Sequence, residues 1–207
     1  KQNLVTLILQ IWGGSFYLAN KILFSLAEGR NEGRKRAFRM AGWAFYILGV
    51  PPWVMILIGE RNWIVASIEA GGVPAMLFGL YTVYKGSQGY NRPFNAVAMF
   101  FTYGSLLLGV GYSLIEHSGI NTLFQVLELG AMIGFLAGSY LLARRNAKGW
   151  LFFMLMNGSM AALMFLQDKP ILSIQQLLSL CFVIYGFIVA VRSRGDAEVE
   201  NRDADKR

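Results

Sequence analysis

Gly42-Trp43-Ala44-Phe45-Tyr46-Ile47-Leu48 and Gly149-Trp150-Leu151-Phe152-Phe153-Met154-Leu155 open two stretches of the chain that run in register. From these openings, residues 42–86 lie over residues 149–193 at a constant offset of 107 without a gap, with Ile64 over Ile171 and Gly79 over Gly186. Six identities in 45 positions are few. The substitutions nevertheless keep their chemistry: Tyr46 matches Phe153, Glu60 matches Gln167, Glu69 matches Gln176, Phe78 matches Tyr185 and Lys85 matches Arg192. Both stretches are hydrophobic hairpins, and a repeat in a membrane protein predicts a two-part transporter with its site between the parts.

Composition sets the solvent. Of 207 residues 55% are hydrophobic and 15% charged, against about 25% charged in ordinary soluble domains, and the mean hydropathy is +0.45. Windows of about 20 residues predict seven spans, near 4–25, 38–59, 62–84, 94–115, 122–143, 149–167 and 170–192. The expected fold is an all-α membrane protein with short connections and no soluble domain. The first span lacks an early basic region and a small-residue cleavage site, so it reads as a true span and not a signal peptide.

The net charge of +7 does not point to nucleic acid, because its distribution follows the spans. Fifteen of the 19 Lys and Arg residues follow spans 1, 3, 5 and 7, which end on one side; Lys1, Arg61 and Lys169 lie on the other, and Lys21 lies inside span 1. The positive-inside rule then predicts an external N-terminus and a cytoplasmic C-terminus, with membrane lipids as the surrounding partner. The lone Cys181 excludes a disulfide within the chain.

Span 1 lies over span 5 at an offset of 118, placing Gln10 over Glu128, Leu18 over Leu136 and Ala19 over Ala137. The organisation predicted is therefore a three-helix repeat (1–86), a linker helix (87–120), a second three-helix repeat (121–193) and a disordered cytoplasmic tail (194–207). An odd number of spans between the copies makes them parallel. Gly130, Gly134 and Gly138 in span 5 form a doubled small-xxx-small pattern, read as close packing within the bundle, with a homo-oligomer contact as the alternative. Pro51, Pro52 and Pro74 are expected to kink their helices.

Ionisable groups at membrane depth are functional candidates, because burying charge there is costly. Lys21 lies near the cytoplasmic end of span 1 and reads as a snorkelling side chain. Glu69 and Glu128 sit about 10 Å below the outer surface at about 1.5 Å per residue. Their repeat mates Gln176 and Gln10 share that depth, so the four form a polar belt. The belt is either interhelical glue or the wall of a pathway for a cationic or hydrogen-bonding solute, with Gln125 and Gln175 at its border. Trp150, Phe153 and Asn157 share a helical face by i, i+3, i+7 spacing, which suits a flat heteroaromatic ring; an interfacial anchor and a helix contact are the alternative. The single His117 has no accompanying metal-ligand set, and no Walker loop or dinucleotide fingerprint is present. No metal, cofactor or enzymatic role is expected.

The segment Gly149-Trp150-Leu151-Phe152-Phe153, then Asn157, then Ile174-Gln175-Gln176 and Tyr185-Gly186 resembles the C-terminal repeat of the PnuC vitamin transporters. The three-one-three organisation is similar too, and that family is related to the SWEET fold. Phe153 stands where the family pattern has its second Trp, and Val50 stands in span 2 opposite Asn157. The resemblance implies facilitated diffusion of nicotinamide riboside, or of thiamine or another small solute, by alternating access, with phosphorylation inside the cell trapping the solute. It implies that Trp150, Phe153 and Asn157 stack on and orient the ring, with Trp43 and Tyr46 as their counterparts in the first repeat. Glu69, Gln176, Glu128 and Gln10 would hydrogen-bond the solute or gate it. A reading from another class is a seven-span scaffold or sensor that uses its basic loops as a partner surface.

Overall fold

The computed structural model describes residues 4–28, 30–86, 91–143 and 146–204, with backbone only at 140, 143 and 193–204. Among these there are helices and no strands: α1 Leu4–Ala27, α2 Glu32–Gly59, α3 Trp63–Gly71, α4 Val73–Lys85, α5 Arg92–His117, α6 Leu123–Ala143, α7 Gly149–Leu166 and α8 Pro170–Ala204. Five helical segments are long and apolar enough to cross a membrane: α2, α3 with α4, α5, α7 and α8 as far as Arg192. Two of the seven expected spans fall outside that group. In α1, Gln10, Asn20 and Lys21 lower the mean hydropathy, and in α6 the unbroken run of fully described residues is Leu123–Ser139, although the helix continues to Ala143.

The third expected span is broken into α3 and α4 at Gly72. Its amide is bonded to Ile68 O, and Pro74 falls in the first turn of α4, where a missing N–H costs nothing. By contrast α2 runs through Pro51 and Pro52 as one helix. The backbone of α8 is helical to Ala204, across most of the stretch read from sequence as a disordered tail.

Six helical units form a ring. α1 packs on α2 and α8, α2 on α3 and α4, α3 on α6, α6 on α7, and α7 on α8. α5 lies outside the ring on α3 and α4, with its far face bare at Phe100, Leu107, Leu108 and Ile115. The core joins the two halves of the chain: Tyr17, Tyr46, Trp53 and Leu57 cluster with Ala131, Met160, Leu163 and Leu172.

The repeated residues make repeated contacts. A Cβ on Gly79 would lie 2.7 Å from the Trp43 ring, and one on Gly186 would lie 2.8 Å from the Trp150 ring. Each indole therefore needs the glycine of its own half, and the two glycines stand at matching positions. The three α6 glycines all face α7; at Gly134 a Cβ would come 2.6 Å from Phe152 O, so the small-residue pattern serves packing inside the bundle.

The loops α2–α3 and α7–α8 meet at one end of the ring. Asn62 Nδ2 donates to Gln167 Oε1 (2.8 Å), Gln167 Nε2 donates to Asn62 Oδ1 (2.9 Å), and Lys169 Nζ pairs with Glu60 Oε1 (2.5 Å). Since 60 matches 167 and 62 matches 169 at the 107 offset, the 60–169 and 62–167 contacts exchange with one another. A two-fold contact has this property.

Candidate functional site

The inner face of α1 carries Gln10, Tyr17 and Lys21 at i, i+7 and i+11, one stripe of a helix. Tyr17 and Lys21 turn into a cavity where α1, α2, α3, α6, α7 and α8 converge, lined also by Tyr46, Trp53, Glu69 and Gln176. The Tyr17 hydroxyl donates to Glu69 Oε2. Tyr17 also stacks on Trp53 (ring centroids 5.2 Å, planes 24° apart) and meets Tyr46 edge-on at 4.8 Å. These contacts fix the phenol that holds the carboxylate. Glu69 is two residues before the α3 terminus at Gly71, close to the break in the third span.

Lys21 does not snorkel. Its ammonium sits 5.6 Å from the Tyr46 ring centroid and 5.1 Å from that of Phe153, within cation–π range. Those two rings occupy matching positions in the two halves. The free space in the cavity is about 20 Å³, room for about one water and far below the roughly 300 Å³ of a small-molecule pocket. The cavity is closed around its own side chains.

The polar belt divides. Glu69 and Gln176 line the cavity. Glu128 does not: it is buried, and its Oε2 accepts the backbone N–H groups of Ile64 (2.9 Å) and Val65 (3.2 Å). A carboxylate there satisfies open donors and the positive end of the α3 dipole. Gln10, its repeat mate, is fully buried, and neither polar atom of its side chain has a protein partner among the described residues. Gln125 closes the α5–α6 turn, its Nε2 donating to Ser113 Oγ and Gly119 O. Gln175 lines the cavity; its Nε2 donates to Ser179 Oγ, while its Oε1 has no partner among the described residues.

The shared face of α7 also divides. Trp150 is buried against Gly186, and Trp43 takes the equivalent place on Gly79, stacking on Tyr46 at 6.2 Å. Asn157 is buried, donating its Nδ2 to Phe153 O at 2.7 Å and leaving Oδ1 without a partner among the described residues. Phe153 alone of the three reaches a cavity residue, Lys21. Tyr46, Glu69 and Gln176 are therefore brought together, Phe153 and Gln175 border them, and Trp43, Trp150, Asn157, Gln10 and Glu128 stand outside. Sequence reasoning missed Tyr17, Trp53 and the inward course of Lys21. The helical stripe Gln10–Tyr17–Lys21 and the opposite charges of Lys21 and Glu69 were the available signals.

No group of three or more His, Cys, Asp or Glu gathers among the described residues. Comparison with protein-family models, with curated proteins and with solved structures finds no match to this chain.

Proposed function

We propose that the chain is a bacterial inner-membrane transporter for a small heteroaromatic vitamin, with nicotinamide riboside first and thiamine second, working by facilitated diffusion and alternating access. It is not read as an enzyme. The observation that carries this reading is the cluster of Lys21, Glu69, Tyr17, Tyr46 and Gln176 around one cavity, enclosed between the two halves of an otherwise apolar chain. Buried charge at membrane depth is costly and marks solute paths.

In this reading the ring of helices is two parallel three-helix repeats, α1–α4 and α6–α8, with α5 as the linker. The matched indole–glycine contacts and the exchanging loop contacts support it. On the positive-inside rule this reading puts the loop contacts outside and the C-terminus in the cytoplasm. The closed cavity is then an occluded state, and Trp53 Nε1 and Gln175 Oε1, buried without partners among the described residues, are hydrogen-bonding capacity kept for the solute. The indoles of Trp43 and Trp150 support the ring site from behind, and Phe153 and Tyr46 face the solute.

The test is uptake of labelled nicotinamide riboside and thiamine into vesicles containing the purified protein. Saturable uptake of either is expected and identifies the solute. Uptake of neither, from protein that remains folded, contradicts the reading and favours the scaffold or sensor.

A further inference from the structure

The ammonium of Lys21 lies over the rings of Tyr46 and Phe153, which occupy the same place in the two halves of the chain. It spans from α1 to α7 to do so. Among the described residues it makes no hydrogen bond and has no carboxylate oxygen within 4 Å; Glu69, bonded by the Tyr17 hydroxyl, acts on it as a charge at longer range. A half-buried primary ammonium has three donors to satisfy, and a place made of two ring faces satisfies none of them. Ring faces suit instead a cation that has no N–H to offer, as in recognition of quaternary ammonium groups by aromatic cages. The free space of about 20 Å³ cannot admit a ring while the lysine is there.

We infer that Lys21 is a tethered stand-in for the solute: its ammonium occupies the cation place between Tyr46 and Phe153 in the empty protein, and a flat ring bearing a quaternary nitrogen enters by displacing it. This rests on the reading that the cavity receives a solute, and it adds what holds the cation place when no solute is bound. While Glu69 supplies the counter-charge for whichever cation is present, the lysine keeps the cavity filled and neutral between solutes. Removing its charge then leaves the place open to the ring.

The experiment measures binding of two probes, 1-methylnicotinamide and uncharged nicotinamide, to the full chain in detergent and to its Lys21→Gln and Lys21→Met variants. Both variants are expected to bind the charged probe more tightly, by about tenfold, with little change for nicotinamide. Unchanged or weaker binding of the charged probe overturns the inference. So does equal tightening of both probes, because the lysine then only takes up room. Should neither variant be recovered folded, Phe153→Leu decides: loss of one ring weakens binding of the charged probe, and unchanged binding overturns the inference. The two readings fail separately. Vesicle uptake of nicotinamide riboside by a chain whose lysine variants show no gain leaves the transport reading in place, whereas a charge-selective gain without vitamin uptake removes only the vitamin.

Discussion

At the scale of single residues, sequence position and structural role separate most clearly at Gln10 and Glu128. They match in the repeat, yet Gln10 is buried without a protein partner while Glu128 caps the start of α3. Depth and periodicity could place both at one level, but they could not say that two backbone N–H groups wait beside one of them. Glu128→Ala is expected to lower stability by about 1–3 kcal/mol, the cost of leaving buried donors unsatisfied, and a denaturation series on the purified protein measures it. Glu128→Gln keeps an acceptor and should lose less. The course of Lys21 was hidden for a related reason. A long stem near a helix end can reach the interface, and only the positions of Tyr46 and Phe153 show that an aromatic seat lies closer to hand.

At the scale of elements, what the sequence made legible is what repeats. The offset of 107 predicted two equivalent hairpins, and Trp43 on Gly79 and Trp150 on Gly186 are equivalent packing joints. The break of the third span was signalled by Gly71, Gly72 and Pro74, although a kink was expected there and a change of helix is found. The roles of Trp150 and Asn157 were not legible. A shared helical face cannot tell a ring that faces a cavity from one that fills a notch in the next helix. Gly186→Ala and Gly79→Ala each place a methyl against an indole and are expected to cost about 1–3 kcal/mol, the usual range for overpacking. Thermal unfolding of the two variants checks this, and similar losses from both are expected because the joints are alike.

At the scale of the whole molecule, each half lends its first helix to the third unit of the other: α1 meets α8, and α6 meets α3. A rocking motion about such an arrangement must part the loops that clasp at one end, where Asn62 meets Gln167 and Glu60 meets Lys169. The Lys169–Glu60 ion pair is half-buried, with side chains 13% and 31% exposed, and the amide pair adds two neutral hydrogen bonds of about 1 kcal/mol each. A clasp of that size can hold a closed state and still release it. The most direct test joins it covalently: Asn62→Cys with Gln167→Cys, in a chain whose exposed Cys181 is replaced by Ser, assayed for uptake of labelled nicotinamide riboside and thiamine into vesicles. Oxidation is expected to abolish saturable uptake and reduction to restore it. Uptake that continues at full rate through the oxidised, cross-linked protein would contradict a solute path opened by separation of the two halves.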